Sequence, residues 1–124
     1  MAEGMTRACA IIVAGGSGTR FGNPGGKLLI EVAGKPLITW TLEAFDAAER
    51  VSRIVVVCPP DKSDEMNRSA VEPYSFSTPI AFAPSGAERQ DSTRNGLSAV
   101  PADCEIALVH DAAPVSYTHL RAHE

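Results

Sequence analysis

Between Ala14 and Lys27 the chain reads AGGSGTRFGNPGGK, a glycine-rich stretch that carries two cations, Arg20 and Lys27. Glycine admits positive φ and lets backbone N–H groups approach an anion where a side chain would collide with it. Two cations around such a loop suit the charge of a triphosphate. Two later segments add further chemistry. One is GAERQDSTRNGL, Gly86 to Leu97, where Asp91 and Ser92 are of the types that cap a helix. The other is VHDAA, Val109 to Ala113, where Asp111 follows an apolar run. A carboxylate at the carboxyl end of a buried strand can hold Mg²⁺ together with phosphate oxygens. An aspartate there can equally serve as a turn or helix N-cap residue. Arg89 is placed to orient Glu88 or the loop, as an ion pair or as a substrate contact, and Arg94 falls on the solvated face of the following helix. His110 is read as a packing or locally hydrogen-bonded residue.

Two well-known phosphate motifs fail on counting. A dinucleotide fingerprint starting at Gly16-Ser17-Gly18 needs a glycine where Phe21 stands. A P-loop ending at Gly26-Lys27 needs glycine at Phe21 and Ser or Thr at Leu28. The stretch is therefore either a different phosphate cradle or a glycine-rich turn that binds nothing.

These residues need a scaffold, and the hydrophobic pattern supplies one. Ala8 to Val13 is a short apolar run, the mark of a strand buried on both faces of a parallel sheet. From Pro36, the residues Leu37, Ile38, Thr41, Leu42, Phe45 and Ala48 recur at helical spacing, with proline allowed in the first turn. Trp40 reads as packing rather than a base-stacking platform. Arg53 to Cys58 is a second buried strand closed by Pro59 and Pro60, and Asp61 to Ala70 is polar enough for an exposed helix. Pro79 to Ala83 is a weaker strand. Asp91 to Val100 is a short helix with Leu97 and Val100 facing inward, and Glu105 to Val109 is another strong strand. This alternation predicts an α/β fold, a three-layer α/β/α Rossmann-like arrangement with a mainly parallel sheet and ligands beyond the carboxyl strand ends. A sheet ending just after a strong strand needs another element to cover it, so the fold is expected to be truncated.

The totals agree with one globular domain: 124 residues, 44% hydrophobic and 21% charged. No run approaches the roughly 18 apolar residues of a membrane span, and Met1 to Arg7 lacks a secretory layout, so no membrane role and a cytoplasmic location are expected. A formal charge of -4 gives no basic field for nucleic acid. Cys9, Cys58 and Cys104 sit beside aliphatic residues without metal-ligand spacing, and read as small buried apolar side chains.

Ala14-Gly15-Gly16-Ser17-Gly18-Thr19-Arg20, Lys27 and Gly34-Lys35-Pro36-Leu37-Ile38 resemble the nucleotidyltransferase superfamily of sugar-nucleotide pyrophosphorylases, although Gly26 precedes Lys27 where the family usually has proline. Adding Gly86 to Leu97 and Val109 to Ala113, the chain is similar to the 2-C-methyl-D-erythritol 4-phosphate cytidylyltransferases over nearly all of Ala8 to Ala113. It departs at Ser85, Thr93 and the residue after Ala113. The resemblance implies a cytidylyltransferase of non-mevalonate isoprenoid biosynthesis, with CTP and a sugar-alcohol phosphate as partners and Mg²⁺ as cofactor. It implies Arg20 and Lys27 as catalytic residues, and Ala14, Gly15, Gly16, Gly18, Gly86, Ser92 and Ala112 as the nucleotide site. Asp111 would be the metal ligand and the full-length protein a homodimer. Ribitol phosphate cytidylyltransferases, other sugar-phosphate nucleotidyltransferases and a non-catalytic nucleotide-binding domain remain alternatives.

Residues 115–124, VSYTHLRAHE, abandon the preceding pattern and look like one reading frame of a sequencing adapter. Residues 1–114 are accordingly expected to be the N-terminal part of one nucleotidyltransferase domain, with Pro114 a hybrid codon product. His119 and His123 are not read as metal ligands. A fragment of this kind is expected to be inactive, because acceptor-binding residues would lie beyond it.

Overall fold

The computed structural model describes residues 7–14, 29 and 31–111. Strand β1, Ala8–Val13, is buried at every position and forms the centre of a four-stranded parallel sheet. Its alternate side chains enter two different cores, as the two-residue repeat of a strand requires. Ala10 and Ile12 join Ile54, Val56 and Cys58 on one face, while Cys9 and Ile11 join Val55 and Val57 on the other. Both faces must be covered, so the strand reads as an uninterrupted apolar run.

A two-stranded hairpin, β2 (Glu31–Val32) and β3 (Lys35–Pro36), leads into helix α1, Leu37–Asp46. Ile38 and Leu42 are fully buried against the first core. The indole of Trp40 donates to the Val32 carbonyl at 2.7 Å, and Lys35 Nζ lies 4.3 Å from its ring centroid while pairing with Glu43 at 2.6 Å. Trp40 thus pins the hairpin to the helix, the packing role read from the sequence. Strand β4, Val51–Cys58, starts two residues earlier than the apolar run indicated, because Val51 pairs with Ala8.

After β4 the chain forms a 3₁₀ turn, Pro60–Lys62, a short helix α2, Ser63–Met66, and a π-helical turn, Asn67–Val71. A single exposed helix was expected here. Met66 and Ala70 are instead fully buried in the first core, and the Thr39 hydroxyl donates to the Ala70 carbonyl at 2.9 Å. Strand β5, Ile80–Pro84, helix α3, Arg89–Ser98, and strand β6, Ile106–Asp111, complete the described elements.

The sheet order is β5-β4-β1-β6. The chain therefore runs outward from β1 through β4 to β5 and then returns past β1 to β6. The core on the outward run is covered by α1 and the 60–71 segment, and α3 sits on the opposite face, as a constant crossover handedness demands. Gly96 lets α3 approach closely: a Cβ there would lie 2.6 Å from Ile11 Cγ2 and 2.9 Å from Val57 Cγ2. This approach corrects one expectation. Leu97 is 46% exposed, and the inward positions of α3 are Ser92 and Gly96, because a helix held this near the sheet has no room for leucine. Val100 does pack on the second core.

Cys9 and Cys58 are buried, and burial is the main cause that pushes each thiol up to about 11. They remain protonated and apolar at neutral pH. Cys104 is half-buried, with Sγ 3.4 Å from the Ser52 hydroxyl.

Asp46 ends α1 and accepts the Thr78 N–H at 2.7 Å. Burial alone would raise its pKa, but hydrogen bonds from Thr78 and Ser77 outweigh that and lower it below the usual carboxylate value. A depressed folded pKa means stability present above the ordinary carboxylate pKa and lost as pH falls through the folded one. Asp46→Ala should therefore cost about 1–3 kcal/mol at pH 7 by orphaning the Thr78 donor. In urea titrations the gap from the parent chain should narrow at pH 3; a gap that is constant with pH would assign the cost to packing alone.

Candidate functional site

The strand order marks out one end of the sheet. The order in which strands are added reverses at β1, from β4 and β5 on one side to β6 on the other, and in open parallel sheets ligands bind beyond the carboxyl ends of the two strands flanking such a reversal. In the β1–β6 register Val13 faces Asp111. The next residue after Val13 is Ala14, whose N–H donates to the Val57 carbonyl at 2.7 Å. Ala14, the first residue of the glycine stretch, therefore stands beside Asp111, although the two lie almost a hundred residues apart in sequence.

A third segment reaches the same end of the sheet. The Ser85 N–H donates to the carbonyl of Cys58, the last residue of β4, at 3.0 Å, so the turn after β5 starts at a strand terminus too. The Gly86 N–H donates to the Ser92 hydroxyl at 2.9 Å. A Cβ on Gly86 would overlap Asp91 Cβ and sit 3.2 Å and 3.3 Å from Asp91 backbone atoms. Only glycine lets this turn fold back on the helix it precedes. Ser92 is fully buried and acts on the turn through Gly86. The N-cap position of α3 is Glu88, three residues before Asp91, which accepts the Glu88 N–H from inside the first turn at 3.3 Å. Asp91 thus contributes to capping, but from the third helical position rather than as the cap itself.

Gly86→Ala should consequently destabilise the chain by about 1–3 kcal/mol, the usual cost of forcing atoms into a packed site. A thermal melt checks this, and an unchanged midpoint would show that the turn can open without cost.

Arg89, the first residue of α3, donates from Nη2 to Asp111 Oδ1 at 2.7 Å. The pair bridges the helix start and the end of β6. Arg94 is mostly exposed and reaches Asp91 at 3.4 Å. His110 lies edge-on to Phe45 with ring centroids 5.3 Å apart, and its Nδ1 is 2.6 Å from the Asp111 carbonyl oxygen, which agrees with a local packing role.

Of the site residues read from the sequence, Ala14, Gly86, Ser92 and Asp111 are described, and all four stand at the carboxyl end of the sheet. Gly15, Gly16, Gly18, Arg20, Lys27 and Ala112 lie outside the described residues, as do Pro114 and the 115–124 segment. The sequence offered Glu88 or the loop as what Arg89 orients, whereas its ion-pair partner is Asp111. Nothing local could have named that partner, because Asp111 follows Arg89 by 22 positions and comes close only through the sheet order.

Mg²⁺ takes oxygen ligands in octahedral geometry and is commonly held by one or two carboxylates together with substrate phosphates. Among the described residues no three His, Cys, Asp or Glu side chains cluster. Asp111 is about half exposed, and Arg89 occupies only one of its oxygens. Among the described residues that donor set fits a cation for which Asp111 supplies one carboxylate, with its remaining oxygen ligands coming from elsewhere.

The sequence model of the family described as IspD, 2-C-methyl-D-erythritol 4-phosphate cytidylyltransferase, matches residues 8–122. The chain belongs to this cytidylyltransferase family. Its relatives of that name include one from Caldanaerobacter subterraneus subsp. tengcongensis, 36% identical over 84% of this chain and 46% of the relative. Another, from Clostridium botulinum strain Langeland, is 39% identical over 88% of this chain and 47% of its own length. The crystal structure of 4-diphosphocytidyl-2C-methyl-D-erythritol synthase from Anaerococcus prevotii superposes with a TM-score of 0.70 at 29% identity, covering 87% of this chain and 44% of that one. The chain thus spans about half the length of the cytidylyltransferases it matches. The shared fold is the α/β arrangement described above, and no described helix is long and apolar enough to cross a membrane.

Proposed function

We propose that this chain carries the nucleotide-binding half of a cytidylyltransferase that moves CMP from CTP to the phosphate of 2-C-methyl-D-erythritol 4-phosphate, releasing pyrophosphate. The observation that carries the reading is the parallel register of β6 on β1, which brings Asp111 beside the first residue of the glycine stretch at the point where the strand order reverses. Family membership supports the substrates, since every relative described above is named for this reaction or its product.

An oxygen of the acceptor phosphate, already ionised at neutral pH, attacks the α-phosphorus of CTP in line, and the bond to the pyrophosphate oxygen breaks. No strong general base is needed. The protein's work is to position the two phosphates and to neutralise charge on the α-phosphoryl and the departing pyrophosphate. Arg20 and Lys27 are assigned to that charge. Ala14, Gly15, Gly16 and Gly18 are assigned to the base, ribose and phosphates through their backbone, with Gly86 and Ala112 lining the same site. Ser92 supports this lining by fixing the Gly86 amide. Mg²⁺, when bound at Asp111 and the phosphates, supplies further neutralising charge. A base read by paired donors and acceptors disfavours any nucleotide that leaves them unmatched. The whole enzyme is assigned to the cytoplasm and to a homodimer.

The test is pyrophosphate release by a full-length enzyme carrying these residues. Release should require both the acceptor and Mg²⁺ and should favour CTP over GTP and UTP. CTP binding with no acceptor-dependent release would instead identify a nucleotide sensor, and a preference for GTP or UTP would remove the cytidylyl assignment.

A further inference from the structure

Arg89 stands where electrostatics disfavours it. It is the first residue of α3, and the amino end of a helix carries partial positive charge that repels a cation. Asp91, two residues on in the same first turn, is already engaged by the Glu88 N–H and by Arg94. The anion that Arg89 meets is Asp111, at 2.7 Å. Both side chains are more than half exposed, at 58% and 51%, so water competes with the pair and separating it costs little. A guanidinium is also matched in shape to phosphate oxygens, and the start of a helix favours anions. The same cation thus has two suitable partners at one end of the sheet, a carboxylate that is present and the phosphate of a bound nucleotide.

We propose that Arg89 is an exchangeable counterion and positioning residue of the nucleotide site. Without nucleotide it neutralises Asp111 and keeps free divalent cations off that carboxylate. When a nucleoside triphosphate arrives with its cation, Arg89 gives up Asp111 and turns its guanidinium to a phosphate oxygen. Cation and nucleotide therefore bind cooperatively, since each removes a competitor of the other. The inference rests on the reading of Asp111 as cation-facing and of this end of the sheet as a triphosphate site.

The experiment measures equilibrium binding to the 124-residue chain, with Mn²⁺ followed by electron paramagnetic resonance and CTP by calorimetry in excess EDTA. The proteins are the parent chain, Arg89→Gln, Arg89→Lys and Asp111→Asn, each checked for folding by far-UV circular dichroism. Arg89→Gln should bind Mn²⁺ about two- to fivefold more tightly than the parent without nucleotide, and metal-free CTP more weakly by a similar factor. Arg89→Lys, which keeps the charge, should follow the parent for Mn²⁺. Asp111→Asn should lose the Mn²⁺ site. If Asp111→Asn loses Mn²⁺ while Arg89→Gln binds it no better than the parent, the exchange is overturned and the metal reading survives. If Asp111→Asn binds Mn²⁺ like the parent, or the parent and Arg89→Gln both bind none, the cation-facing reading of Asp111 falls and the exchange with it. Metal-free CTP binding that Arg89→Gln leaves unchanged, or that neither protein shows, overturns the transfer of Arg89 to phosphate.

Discussion

In a full-length enzyme carrying these residues, Lys27→Ala should lower kcat for CMP transfer on the order of a hundredfold, the usual cost of removing one group that stabilises transition-state charge. Affinity for CTP should change far less. The reason is where charge develops: in the ground state the triphosphate spreads its charge over many oxygens, whereas in-line displacement concentrates it on the α-phosphoryl and the leaving oxygen. A cation aimed at those positions acts mainly on the barrier, and its loss then lowers kcat and kcat/KM together. Steady-state kinetics and equilibrium CTP binding on the same variant provide the check. An unchanged turnover would remove Lys27 from the catalytic role, and a fall confined to CTP affinity would reassign it to ground-state binding.

Leu42→Ala should be the most damaging single change to the fold among those considered. Leu42 is fully buried in the core that α1 shares with β1 and β4. Deleting such a side chain costs about 2–5 kcal/mol through lost burial and the cavity left behind. Folded domains have only about 5–15 kcal/mol in hand, so the urea midpoint should drop sharply or the cooperative transition should disappear. Leu97→Ala is the matched control. That leucine is 46% exposed, and its truncation should move the midpoint little. Equal losses from the two substitutions would show that α3 packs on the sheet differently from the arrangement described above.

The two leucines also mark how far periodicity reaches. Both fit a helical apolar stripe in the sequence, yet Leu42 is buried and Leu97 is not. The difference lies in how close each helix comes to the sheet. Gly96 brings α3 within contact of Ile11 and Val57, which leaves the neighbouring leucine outside. A hydrophobic pattern records that a residue can be buried, whereas the distance between layers decides whether it is. The 60–71 segment shows the same limit, for its polar composition pointed to an exposed helix while Met66 and Ala70 complete the core under α1.

What the sequence determined by itself was local and chemical. The apolar runs at β1 and β4, the helical spacing after Pro36, the glycine stretch with its two cations and the carboxylate at Asp111 are written in consecutive residues, because strand and helix periods and turn chemistry act over short spans. Only the tertiary structure decided the strand order. That order places β6 beside β1 rather than beyond β5, sets Asp111 next to Ala14, and joins Arg89 to Asp111 at 2.7 Å. Strand pairing is a contest among distant segments, settled by which crossovers bury both faces of β1, and no stretch of neighbouring residues carries that information.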